Sequence, residues 1–272
     1  MAQSNLTHNV SALRKALGEK HGWANMDWTP EGKLLYGAFI DRSLTIWAMH
    51  ADGGDQNQLI STGYIDHLAG MTMDGRFLVF QSNRSGSPEI WRASSDGSDL
   101  QQLTYGGNNT EPHVSPDGRW VVYRSTRDGR RALWRIALEG GDPVRLTDKD
   151  ASWPRISPDG KIIACEYLLT PNSPPKLAII SIEGGRLLKV FDVPRTAIFR
   201  YGIRWMPDGN AVAYRDAADR IWKQSLDSTE PKRLEGLPQE RLYSYSWSPD
   251  GKQFAFSRGS TIRDVVLIKN FK

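Results

Sequence analysis

The chain has 272 residues, with 35 Lys and Arg against 31 Asp and Glu and a formal net charge of +4, and its basic residues are interleaved with acids, which gives nucleic acid no special claim as a partner. Its one cysteine, Cys165, lies in the apolar run 162–165 without an intrachain partner, reads as a small buried hydrophobe, and leaves the compartment open. No apolar run is long enough to span a bilayer and no secretory h-region lies near Met1, so the expectation is a soluble, unexported chain, cytoplasmic by default and periplasmic if the true start lies upstream.

In chain order, residues 1–22 stand apart from residues 23–272. Within the first segment, Val10, Leu13 and Leu17 recur at spacings of 3 and 4, giving one apolar stripe of a helix over 8–17. His8, Asn9, Ser11, Arg14 and Lys15 lie elsewhere on that helix, and Gly18 can end it. A competing reading makes Asn5-Leu6-Thr7 an outer strand, patterned like Gln102-Leu103-Thr104. The last repeat ends at Lys272 after its third strand, which leaves a place that an N-terminal strand could fill to seal a ring. Thr7 sits 25 residues before Gly32, whereas Thr104 sits 14 before Gly118, so this reading requires the helix to be looped out.

From residue 23 onward a phrase recurs: strand, Ser-Pro-Asp-Gly turn, hydrophobic strand. The turns close at Gly32, Gly75, Gly118, Gly160, Gly209 and Gly251, at intervals of 43, 43, 42, 49 and 42 residues. That period is the length of a four-stranded propeller blade, and it predicts an all-β, six-bladed propeller after the short N-terminal helix. A second phrase keeps step with the first, an apolar residue and Trp followed six residues later by a turn glycine: Trp47 and Gly53, Trp91 and Gly97, Trp134 and Gly140. In residues 111–147 the reading is an inner strand 111–114, a second strand 120–123, a third 132–138 and an outer strand 144–146, joined by turns at 116–118, 126–129 and 139–142. The recurring tryptophans are expected to pack between sheets, because a blade contact is needed at every interface whereas a ligand contact is needed once. The repeat departs from its period at 168–175 and 193–201, where longer loops are expected.

The usual catalytic constellations are absent from the sequence. There is no Gly-x-Ser-x-Gly elbow, His-Glu-x-x-His, paired Cys-x-x-Cys or Gly-x-x-x-x-Gly-Lys, so no catalytic residue, metal ligand or cofactor is assigned. A metal-centred channel would draw on Asp27, Asp66, Asn109 and Glu111, but these fall five, nine, nine and seven residues before their turn glycines and so do not recur in register. His67 and His113 have no companion at ligand spacing. The loops entering the inner strands bring His67, Asn109, Glu111, Trp153, Arg200, Tyr201 and Tyr243 toward one rim, a mixture of aromatic and charged side chains suited to a protein or peptide partner.

The repeated Ser-Pro-Asp-Gly unit with Ile-Trp and Gln-Leu-Thr, over residues 23–272, resembles the WD-like propeller repeat of the TolB family. That resemblance implies a non-catalytic binding or sensory module, similar to the sensor halves of bacterial winged-helix regulators and kinases. It also implies, as an alternative, a propeller hydrolase, lactonase or peptidase accessory domain. Residues 4–19 resemble the recognition helix of OmpR/CadC-type winged-helix domains, which implies DNA contact through His8, Asn9, Ser11, Arg14 and Lys15; with the rest of that domain missing, DNA is not expected to be a partner of this chain alone.

Overall fold

A computed structural model describes residues 26–40, 43–200, 202–237, 242–259 and 263–269. Turn chemistry sets the pattern. In the turn that starts at Ser115, Gly118 takes φ +70° and its N–H donates to the Ser115 carbonyl (2.9 Å). Ser115 Oγ donates to Asp117 Oδ1 (2.5 Å) and accepts the N–H of Trp120 (2.9 Å), while Asp117 Oδ1 accepts the N–H of Arg119 (3.1 Å). The chain therefore reverses with its polar groups satisfied before the hydrophobic strand begins. Thr72 with Asp74, Ser157 with Asp159, and Ser248 with Asp250 repeat the arrangement.

Between these turns the chain forms antiparallel sheets in sequence order. The first contains β1 (Met26–Trp28), β2 (Lys33–Ile40), β3 (Ser43–His50) and β4 (Asn57–Ile60); the second, β5 (Asp66–Met71), β6 (Phe77–Ser82), β7 (Glu89–Ser94) and β8 (Gln101–Gln102). The third contains β9 (Thr110–Val114), β10 (Trp120–Ser125), β11 (Ala132–Ala137) and β12 (Val144–Arg145), close to the strands expected for 111–147; the fourth, β13 (Ala151–Ile156), β14 (Ile162–Tyr167), β15 (Lys176–Ser181) and β16 (Leu187–Phe191). The fifth contains β17 (Ala197–Ile198), β18 (Arg204–Trp205), β19 (Ala211–Asp216), β20 (Ile221–Ser225) and β21 (Lys232–Arg233), and the last β22 (Leu242–Trp247), β23 (Gln253–Gly259) and β24 (Arg263–Lys269).

This corrects the expected six four-stranded blades preceded by a helix. The described residues build five complete blades and a three-stranded sheet, with no helix among them. The fifth blade has an extra strand because its inner edge is split, β17 pairing with Arg215 and Asp216 of β19 and β18 with Val212 and Ala213. Three strands of the last sheet lie among the described residues. The helix expected over 8–17, with His8, Asn9, Ser11, Arg14 and Lys15, lies outside the described residues, as does the alternative strand at 5–7.

The core lies between sheets. Leu35, Ile46 and Ile60 of the first pack on Leu78, Phe80 and Ala93 of the second, and comparable clusters fill the next seams. The ring closes where Met26, Trp28, Leu34, Tyr36 and Met49 meet Ala255. The recurring tryptophans sit at these seams, partly buried, and arginines from the preceding turns cover several of them: Arg84 over Trp91 (4.7 Å to the ring centroid), Arg127 over Trp134 (5.0 Å) and Arg220 over Trp222 (5.7 Å). Cys165 is fully buried, and burial raises its pKa.

Candidate site at the channel mouth

The inner strands β1, β5, β9, β13, β18 and β22 stand around one axis. β5, β9 and β13 each carry a register shift near their middle, and β22 carries one at its start. At two of these bulges a non-glycine residue takes positive φ, Glu111 at +59° and Trp153 at +55°. Side chains of β9 hold the backbone of β13: Glu111 Oε2 accepts the Trp153 N–H (2.6 Å) and His113 Nδ1 accepts the Ile156 N–H (3.3 Å). Trp205 Nε1 in turn donates to the Arg155 carbonyl (2.8 Å). The irregular backbone is thus cross-braced from blade to blade.

The rim residues chosen from the sequence have separate roles. Asn109 and Glu111 are buried. Asn109 Nδ2 donates to Glu89 Oε2 (2.6 Å), which also accepts from Thr104 Oγ1 (2.7 Å), and Glu111 Oε1 pairs with Arg124 Nε (3.0 Å). Burial pushes the Glu111 carboxyl pKa up against the pull of Arg124. His67 Nε2 accepts from Gln81 Nε2 (3.0 Å) in its neutral form; burial brings its pKa down to about 4, Asp66 opposes that shift, and the Arg200 charge of the fifth sheet adds to it. His67 and Arg200 are therefore brought together electrostatically, as Glu111 and Trp153 are by a hydrogen bond. Tyr243 is partly buried at the start of β22, and Tyr201 lies outside the described residues. Of the acids considered for a metal, Asp66 pairs with Arg84 (3.0 Å) and accepts from Thr62 (2.5 Å), and Asp27 lies in the channel. Among the described residues no three or more His, Cys, Asp or Glu side chains gather as a metal site.

The opposite, turn-side end of the axis holds what sequence reasoning missed. A cavity of about 240 Å³ opens there, lined from every sheet: Trp28, Met71 and Met73, Pro116, Pro158, Trp205 and Pro207, Trp247 and Pro249. Met73 is half exposed. A larger hollow of about 460 Å³ sits off the axis at the seam of the first and last sheets. The residues five places before the turn glycines are Asp27, Gly70, His113, Arg155, Arg204 and Ser246; the first three line the mouth, Ser246 bonds Asp27, and both arginines act on His113, so they form one layer.

Radial four-stranded sheets, inter-sheet cores and an axial mouth define a β-propeller. Residues 6–184 match the TolB beta propeller domain, and the chain belongs to that family. An uncharacterized protein of Agrobacterium fabrum is 33% identical over 93 residues, which is 33% of this chain and 31% of the relative, so the match spans about a third of that protein. The fold is similar to TolB from Acinetobacter baumannii (TM-score 0.64, 23% identity, 77% of this chain and 54% of that one) and to a putative TolB from Agrobacterium tumefaciens (TM-score 0.55, 18% identity, 93% and 78%). It is also similar to oligogalacturonate lyase from Vibrio parahaemolyticus (TM-score 0.62, 15% identity, 92% and 76%). These identities speak to fold alone. Because this propeller fold includes a lyase, the expectation that the chain is not an enzyme is corrected: a non-catalytic role does not follow from the architecture. The expected regulator or sensor role gains no support from these relatives. No helix among the described residues is long and apolar enough to cross a membrane.

Proposed function

We propose that this chain is a protein-binding propeller that receives a peptide segment of its partner in the turn-side mouth of the channel. The observation that carries this reading is the composition of the cavity: methionine, tryptophan and proline converge there from every sheet. Aromatic and methionine side chains offer large apolar contact area, and a rigid ring holds them in place without an ordering cost on binding. The mouth lies at the end of the ring opposite the rim that carries His67, Arg200 and Tyr243, so a peptide could be anchored in the mouth while larger partner surfaces meet the surrounding turns.

The test is selection of a random peptide library on the full chain, followed by titration of enriched peptides against the wild type and Met73→Glu. Met73 is exposed, so its substitution leaves the core alone. Affinity for the selected peptides is expected to fall at least tenfold with an unchanged unfolding temperature. Equal binding by Met73→Glu and by a second variant, Met71→Ser, would place recognition elsewhere.

A further inference from the structure

Beneath the mouth, the layer of residues five places before the turn glycines carries two arginines against one aspartate. Arg155 and Arg204 belong to it and are only 7% and 6% exposed. They come from adjacent blades, one residue inward from the lining residues Ile156 and Trp205. Arg204 reaches across the axis, its Nη2 donating to the Met26 carbonyl of the first sheet (3.1 Å) and its Nη1 to the Ile203 carbonyl (2.9 Å). Arg155 donates through Nη1 to the Pro154 carbonyl (3.0 Å). Among the described residues the Nε atoms of both have no hydrogen-bond partner, and neither guanidinium forms an ion pair.

The nearby carboxylates Asp27 and Glu111 act on Arg155 through space but form no ion pair with it, because their hydrogen bonds go elsewhere. Asp27 Oδ1 accepts from the Trp28 N–H (2.9 Å) and Ser246 Oγ (3.4 Å), and Glu111 is held by Arg124 and the Trp153 N–H. His113, in the same layer, accepts the Ile156 N–H at Nδ1, and burial together with the two arginines keeps it neutral, leaving Nε2 as its N–H donor. Burial and the neighbouring Arg204 lower the pKa of Arg155 to about 9 against the opposing pull of Asp27 and Glu111, which leaves it charged at neutral pH. Two buried like charges with unmade hydrogen bonds are costly unless something of opposite charge joins them.

We propose that Arg155 and Arg204 form an oxyanion site at the floor of the axial mouth, which takes a carboxylate or phosphate group of the bound ligand. Guanidinium forks suit the planar, two-oxygen face of such a group, and the cavity above gives access. As the anchor of the proposed peptide the site rests on that reading of the mouth, but it can be tested without any peptide.

The full chain would be titrated with acetate and, separately, inorganic phosphate, with chloride matching ionic strength, by calorimetry and by unfolding temperature. Wild type is expected to show a saturable rise in unfolding temperature with at least one of the two. Arg155→Met is expected to weaken that binding at least tenfold. General salting effects rise without saturation and alike in both proteins. Arg155 makes only one local hydrogen bond, so its variant is chosen first; Arg204→Met, which also loses the contact across the axis, is the second. Saturation by acetate assigns a carboxylate, such as a peptide side chain or terminus, and saturation by phosphate alone assigns a phosphoryl group. Absence of saturation, or equal saturation in Arg155→Met, overturns the proposal. Anion binding without peptide binding would retain this site and reject the peptide reading.

Discussion

Single polar side chains decide how well this ring holds. Glu89, 1% exposed, accepts from Thr104 Oγ1 and Asn109 Nδ2, joining the outer end of the second blade to the entry of the third. Glu89→Ala orphans two buried donors and is expected to cost about 3 kcal/mol, read from urea midpoints; a loss below about 0.5 kcal/mol would show that these bonds are replaced by water. The turn aspartates give the ring a pH dependence. Hydrogen bonds from Thr72 and then Arg76 hold Asp74 at about 2, and Ser157 and Ser248 lower Asp159 and Asp250 in the same way. An unfolded Asp titrates near 3.9, so this contribution is complete above about pH 4 and is lost as pH falls through the folded value. The Asp74→Asn variant should therefore show a flatter stability profile between about pH 4 and 2 than wild type; coincident profiles would refute the turn staple. His67 acts at a different pH. Its folded pKa of about 4 lies below the unfolded value near 6.5, so its contribution is whole above about pH 6.5 and declines until about pH 4. His67→Gln should remove that decline, and an unchanged slope between pH 6.5 and 4 would show that another group causes it.

Elements were legible in the sequence wherever their determinants were local. Alternating apolar residues and a Ser-Pro-Asp-Gly turn were enough to place β9 to β12 within a residue or two, because the turn fixes the reversal and the branched residues fix the strand. The split inner edge of the fifth blade was not legible, since it depends on Gly202 approaching the Ile198 carbonyl, where a Cβ would lie at 2.8 Å. Asn109 and Glu111 looked like a rim and proved to be buried braces, because their partners Glu89 and Trp153 sit 20 and 42 residues away. The channel layer was invisible for the same reason: Arg155 and Arg204 are single letters in different repeats and meet only when the ring forms. Turn glycines show the same divide. Gly129 and Gly185 both take positive φ, but a Cβ on Gly129 meets nothing within 4 Å, while one on Gly185 would lie 1.8 Å from the Leu146 carbonyl of the preceding blade. Gly129→Ala should cost about 1–2 kcal/mol from strain alone, whereas Gly185→Ala adds a clash between blades and should cost about 2–5 kcal/mol. Equal losses in chemical denaturation would mean that the seam yields freely.

At the scale of the whole molecule, a ring differs from an open stack by one contact, the seam between its first and last sheets. Here that seam is non-covalent: Met26 N–H donates to Ser244 Oγ (3.2 Å), Trp28 Nε1 to the Ser246 carbonyl (3.2 Å), and the cluster around Met26 and Trp28 reaches Ala255. Arg204 ties the same strand from across the axis through the Met26 carbonyl. In a linear array, each repeat depends on its immediate neighbours and the ends can fray, but closure makes every sheet an interior one. The channel mouth exists only while the ring is closed, so stability at this seam and the geometry of the site are coupled. Trp28 lines that mouth as well as the seam. Trp28→Ala is expected to remove about 3–5 kcal/mol and to lower the transition seen by tryptophan fluorescence, far-ultraviolet dichroism and calorimetry together, because losing the seam weakens the ring as a unit. Phe254→Leu, within the cluster of the fifth and last sheets, should also move all probes together and by less. Separate transitions by different probes in Trp28→Ala, with most blades melting at the wild-type temperature, would show instead that the sheets behave as an open stack whose seam contributes only locally.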